Sequence, residues 1–196
     1  AENPLSWEFS AFSQNSEDGI ISFLSDKIIN PNKYFVEIGS SDGIENNTAY
    51  LALVKRFSGL MVEGDKLTSY NCSRIMGNNN LGVKSLNLFV NKKNINTLFS
   101  NILYKDPDVF SLDIDSTDYY MMKSLIDNGL KPSIIVVEYN STFGPSKKIT
   151  VEYKDDFNIV NEHSSSLYYG VSVSGWISYF RSIGYKFVTV DSNGVN

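Results

Sequence analysis

Apolar residues recur along this chain in two rhythms, and the two alternate. Ile95, Leu98, Phe99, Ile102 and Leu103 fall at i, i+3, i+4, i+7 and i+8, the spacing of one helix face. The same rhythm runs through Ile20, Phe23, Leu24 and Ile28, through Leu51, Val54 and Phe57, and through Val173, Trp176, Ile177, Phe180 and Ile183. Between these lie short apolar, β-branched runs at 34–38, 59–65, 81–90, 108–115, 132–140 and 185–190, which predict six strands. Strands alternating with helices imply right-handed crossovers and a mostly parallel, doubly wound α/β sheet covered on both faces.

Boundary residues fix the predicted elements more closely. A helix over 13–29 takes Ser16 as N-cap and Glu17 and Asp18 as first-turn acids, and Pro31 stops it. Further helices are expected at about 47–57, with Leu51, Val54 and Phe57 inward, and at about 66–76, ended by GNNN at 77–80. Ser116 or Thr117 caps the helix that ends at Gly129. Residues from roughly 141 to 167 show little periodicity, and a segment of that length predicts a lid, a binding loop or a disordered insertion beside the ligand site. With no internal repeat or linker, residues 1–196 read as one domain.

The stretch YFVEIGSSDG at 34–43 organises the rest. A strand with Glu37 near its end runs into a small-residue loop, Gly39 to Gly43, and a helix follows. Glycines allow a close backbone approach, and the first amides of a helix are unpaired donors, so the turn suits a small polar group. The pattern is acid-x-Gly-x-x-x-Gly and lacks the G-x-G-x-x-G spacing of nicotinamide-binding folds. Glu63 ends the next strand, GLMVEGD, where a carboxylate can accept both hydroxyls of a ribose.

Composition narrows the partners. With 196 residues, 42% of them hydrophobic, the chain can bury a real core. Seventeen basic and 22 acidic residues give a net charge of −5 without a Lys/Arg cluster, which disfavours a nucleic-acid partner and favours a small, weakly charged substrate. Cys72 stands alone, so no internal disulfide is expected and a reducing, cytoplasmic compartment is. The opening AENPLSWEFS has no signal-peptide pattern, and no apolar run is long enough for a membrane span.

In a doubly wound sheet ligands lie beyond the carboxyl ends of the strands, which gathers Glu37, Glu63, Asp113, Asp115, Glu138 and Asn140 in one crevice. Gln14, Glu17 and Asp18 approach from the same end. Asp113, Asp115, Glu138 and Asn140 form an oxygen-only set of the kind that Mg²⁺ or Ca²⁺ takes, and a bound cation would acidify a coordinated hydroxyl. The alternative device is a side-chain base, for which His163, the only histidine, stands in the long segment.

At SQNSEDGI, FVEIGSSDGIENNTAYL, GLMVEGD, SLDIDSTDYY, VVEYN and YYGVSVSGW the chain resembles the FkbM-type branch of S-adenosylmethionine-dependent methyltransferases, over nearly everything from Ser13 onward. The resemblance implies a Rossmann-like methyltransferase fold with strand order 3-2-1-4-5-(7)-6, the seventh strand missing or truncated here. It implies methylation of a hydroxyl on a sugar, glycan or natural-product acceptor. It also implies that Glu37 and the loop of Gly39, Ser40, Ser41 and Gly43 hold the methionine moiety, that Glu63 holds the ribose, and that Asp113 faces cofactor and acceptor. Ser41 departs from the family pattern, in which many loops have a middle glycine. The rival class is a binding or accessory domain that keeps the fold without the transfer.

Overall fold

A computed structural model describes residues 3–159 and 167–196. Five parallel strands form one sheet: β1 Tyr34–Ile38, β2 Ser58–Glu63, β3 Val83–Asn87, β4 Val109–Leu112 and β5 Ile134–Val137, in the order β3-β2-β1-β4-β5. The helices are α1 Glu17–Ser25, α2 Ala49–Leu53, α3 Lys66–Asn79, α4 Ile95–Asn101, α5 Asp118–Asp127 and α6 Val173–Ser182. This is the predicted Rossmann-like arrangement. The chain leaves β1 toward β3 on one side and resumes at β4 on the other, so a crevice opens beyond the carboxyl ends of β1 and β4.

Every residue of β1 is buried, as a central parallel strand requires. Alternation then splits its side chains between two cores. Val36 and Ile38 pack with Leu60, Phe110, Leu98, Met121 and Trp176 on one face, and Phe35 packs with Met61, Leu51, Cys72 and Met76 on the other. Glu37 points to the second face, and that places a carboxylate beneath the start of α2.

Several expected boundaries move. Helix α1 ends at Ser25, short of Pro31, and the Lys55 ammonium caps its last turn: Nζ donates to the Ser22 carbonyl at 3.1 Å and to Asp26 at 2.7 Å. Ser16 sits in the left-handed region at φ 71° and its side chain makes no cap bond. The first turn is tied by Asp18 instead, whose Oδ2 accepts the amides of Ala11, Phe12 and Ser13. Helix α2 is only five residues long, and Val54 beyond it is 51% exposed, so it does not face inward. Helix α3 continues through Gly77 to Asn79. Helix α4 stops at Asn101, which leaves Leu103 69% exposed and outside the apolar face.

Residues 185–190 do not join the sheet as a sixth strand. They lie beside the free edge of β5, and an apolar cleft of about 550 Å³ lined by Ile134–Val137, Trp176 and Phe180 separates the two. The segment is pinned near its start, where the Tyr185 hydroxyl donates to the Pro132 carbonyl at 2.8 Å. Beyond it, Tyr139 N–H donates to the Val195 carbonyl at 2.9 Å. Among the described residues no helix is long and apolar enough to cross a membrane.

Candidate functional site

Beyond the carboxyl ends of the strands lies a cavity of about 600 Å³. One end is formed by Gly39 and Ser41 after β1, Glu63 to Asp65 after β2, and Leu88, Phe89 and Val90 after β3. The other is formed by Asp113, Asp115 and Ser116 after β4, Glu138 after β5, Gln14, Asn15 and Glu17, and Asn196. None of the described lining residues is Lys, Arg or His. The charged residues of the wall are therefore all acidic.

The loop after β1 is built by close approach. Gly39, at φ 88°, lies so near the Asp113 carbonyl that a Cβ would stand 1.5 Å from it. No other residue fits there, and the contact fixes the β1 loop against the β4 loop. The amides of Gly39 and Ser40 both donate to the Val62 carbonyl, at 2.9 and 3.1 Å. Ser41 adopts φ 50°, the conformation a glycine would take without strain, and its amide reaches Glu63 Oε2 at 2.9 Å. Glu63 Oε1 accepts Asp65 N–H at 2.8 Å, so both carboxylate oxygens are oriented by backbone while lone pairs remain over the cavity.

Ser40 and Gly43 do not line the cavity. Ser40 is fully buried beneath the loop, and its carbonyl accepts the Asn46 side-chain amide at 2.8 Å. Gly43 turns the chain at φ 85° against Cys72, whose sulfur would lie 2.8 Å from any Cβ. Both shape the loop that the cavity uses.

Glu37 reaches the cavity, yet both its oxygens are engaged: Oε1 accepts Asn47 N–H at 2.9 Å and Oε2 accepts the Thr48 hydroxyl. Burial pushes its carboxyl up to about 8, against the opposing pull of these hydrogen bonds. It ties the loop to the start of α2.

Asp113, Asp115 and Glu138 bring carboxylate oxygens within 4.8 Å of one another. Burial, then repulsion from Asp118 and Asp115, pushes Asp113 up to about 7; burial, then repulsion from Asp113 and Asp115, pushes Glu138 up to about 10; and partial burial also raises Asp115. Three close carboxylates without a cation cannot all ionise, so near neutrality Glu138 keeps a proton and shares it with the aspartates. Glu17 is buried close by, its oxygens taken by Asn15 N–H and the Asn196 side chain.

The cluster does not include Asn140. Its side-chain oxygen accepts the Thr142 amide and hydroxyl, and its nitrogen donates to the carbonyls of Leu167 and Tyr169 at 2.8 and 3.0 Å. All its hydrogen-bonding capacity is spent closing the long segment, so it has none for a metal. The described part of that segment, 141–159, does not line the cavity. It is stitched to the 170–172 stretch, where Ser172 Oγ accepts Ile149 N–H at 3.0 Å and Thr150 bridges Val171. His163 lies outside the described residues.

Two residues emerge only from the structure. Tyr169 donates its hydroxyl to Glu138 Oε1 at 3.4 Å, and burial pushes the phenol up to about 12. Phe89, 56% exposed, stands as an apolar wall beside Gly64, close to the Glu63 end. Phe89 falls in the apolar run 81–90 and Tyr169 in the stretch YYGVSVSGW, but nothing in their spacing marks either side chain for the site.

No model of a known protein family matches the sequence, and no curated protein matches it significantly. Solved structures do match in fold. YjhP from E. coli superimposes with a TM-score of 0.50 at 14% identity, over 96% of this chain and 69% of that one. The O-methyltransferase TomG from Streptomyces achromogenes, in complex with SAM, gives 0.48 at 14% identity over 84% and 70%. An O-methyltransferase from Bacillus cereus in complex with SAH gives 0.47 at 15% over the same shares. At these identities the likeness is one of fold.

Proposed function

We propose that this protein is an S-adenosylmethionine-dependent methyltransferase of the FkbM type that methylates a hydroxyl on a sugar, glycan or natural-product acceptor. One observation carries the reading: a single cavity joins the backbone-oriented carboxylate of Glu63 to a carboxylate cluster at the ends of β4 and β5.

The residues present fit the cofactor. Glu63 would take the ribose hydroxyls, Phe89 would stack on the base, and the acidic wall suits a molecule with a cationic sulfur and an ammonium group. When bound, S-adenosylmethionine would supply an electrophilic methyl group. Gly39 and Ser41, next to Glu63 in the cavity wall, would meet the methionine moiety where it leaves the ribose, and Glu37 holds their loop in place from below.

The chain's own task is then to orient the acceptor and take its proton. Asp113, raised to about 7, is a proton acceptor tuned near neutrality, and protonated Glu138 can donate a hydrogen bond to it or to the acceptor oxygen. Positioning of this kind can contribute about 7 to 11 kcal/mol to the rate. The same oxygens fit Mg²⁺ or Ca²⁺, for which Asp113, Asp115 and Glu138 would be the ligands and a lowered hydroxyl pKa the benefit. His163, in a cytoplasmic enzyme of this kind, would be the alternative base.

The test is release of S-adenosylhomocysteine from protein incubated with S-adenosylmethionine and panels of glycans and hydroxylated natural products. Turnover that disappears in Asp113→Asn supports the reading. Binding of the cofactor with no transfer to any acceptor would reassign the protein as a binding module.

A further inference from the structure

Strand β4 ends at Leu112, and within five residues the chain must present two carboxylates to Glu138 and begin α5. The turn that does this is irregular. Asp115 lies at φ 49°, in the left-handed region that side chains rarely adopt. Thr117, at the N-cap of α5, makes no side-chain cap bond.

The missing support comes from Asp118. Its carboxylate reaches back from the first turn of α5, with Oδ1 accepting Ile114 N–H at 3.2 Å and Oδ2 accepting Ser116 N–H at 3.0 Å. One side chain thus holds the amides on both sides of Asp115. Asp118 is 1% exposed and takes part in no ion pair among the described residues, so these two amides are its main compensation for burial. The flanks of the turn are fixed separately: Asp113 N–H donates to the Ile38 carbonyl at 3.0 Å, and Gly170 N–H to the Ser116 carbonyl at 2.8 Å. Only the peptide units around Asp115 depend on Asp118.

We propose that Asp118 is a positioning residue, holding the left-handed turn at Asp115 so that the Asp113 and Asp115 carboxylates converge on Glu138. This deepens the reading of the β4–β5 wall as the place where the acceptor is handled. Without Asp118 one buried and one partly buried amide lose their acceptor, Asp115 relaxes to negative φ, and its carboxylate swings away from the other two.

Convergence can be read with Tb³⁺, a hard oxygen-seeking ion excited through a nearby phenol, here Tyr169, whose hydroxyl lies 3.4 Å from Glu138. Sensitised emission from the wild-type protein should be lost in Asp113→Asn, which assigns the signal to the cluster. Asp118→Ala should weaken Tb³⁺ binding at least tenfold, and Asp118→Asn, which retains one acceptor oxygen, should fall between. Amide exchange in β1 and β4 should stay as in wild type in the variant that is scored, showing an intact sheet. Wild-type Tb³⁺ affinity in both Asp118 variants would overturn the proposal, and so would absence of the signal from the wild-type protein. Neither probe requires methyl transfer, so failure to methylate any acceptor sinks the functional reading alone.

Discussion

The Glu63 carboxylate holds the Ser41 amide at 2.9 Å, which joins the loop after β1 to the end of β2 across the floor of the cavity. A second amide, from Asp65 at 2.8 Å, leaves the carboxylate no freedom to rotate away. The acid is preorganised before any ligand arrives, and preorganisation is what makes a hydrogen bond to a diol count. Glu63→Ala should weaken S-adenosylmethionine binding by about 1 to 3 kcal/mol, measured by calorimetry. Unchanged affinity would remove Glu63 from the site.

The β4–β5 cluster should dominate turnover. Asp113→Asn and Glu138→Gln should each lower kcat by at least tenfold with cofactor affinity preserved, whereas His163→Ala should stay near wild type. If a cation sits among the three carboxylates, chelation abolishes activity and Mg²⁺ or Ca²⁺ restores it; if the carboxylates act alone, chelation changes nothing. A dead His163→Ala beside near-normal Asp113→Asn would move the base to the long segment.

Glu37 gives the fold a pH dependence with a definite sign. Its carboxyl is raised from 4.5 to about 8 in the folded protein, so between those values the folded state binds more protons than the unfolded one. Stability from this group is complete below about 4.5 and is lost as the pH rises through about 8, at about 1.4 kcal/mol for each unit of difference. Urea midpoints should fall across that window in the wild-type protein. Glu37→Gln, which cannot ionise, should show a shallower fall, and an identical slope in the two proteins would refute the assignment.

Asn140 closes the long segment from inside, with Thr142 at one end and Leu167 and Tyr169 at the other. Asn140→Ala removes a buried side chain that holds all of these partly buried partners and should cost about 1 to 3 kcal/mol in unfolding free energy. Hydrogen exchange should accelerate through 141–152 while β1 stays protected. Uniform exchange between the two regions in the variant would show that the clamp lies elsewhere.

The repeating rhythms at Ile95 to Leu103 and at Val173 to Ile183, set against the apolar runs at 34–38 and 108–115, already gave the alternation of strands and helices and the parallel sheet, while the strand order was what the family resemblance implied. Periodicity reports which side of an element is dry, and burial of that side is what folds the chain. The spacing of Glu37, Gly39 and Glu63 likewise placed one end of the cavity, because the ends of parallel strands meet wherever the chain order reverses. Asp113 and Glu138 came with the same rule.

What the sequence alone left open was decided by contacts between residues far apart in it. Asn140 and Glu138 stand two apart at the end of β5, yet Glu138 faces the cavity and Asn140 is consumed by Leu167 and Tyr169. Residues 185–190 have the composition of a strand, but a strand needs a partner edge within hydrogen-bonding distance, and here an apolar cleft separates them from β5. Asp118 reads as an ordinary first-turn acid until its two amide partners are seen. The sequence determined the helices and five of the six expected strands, and which strand ends hold acids, because burial periodicity is local. Only the tertiary structure decided which of those acids meet, because a hydrogen bond is directional and its partner is chosen by the packing of the whole chain.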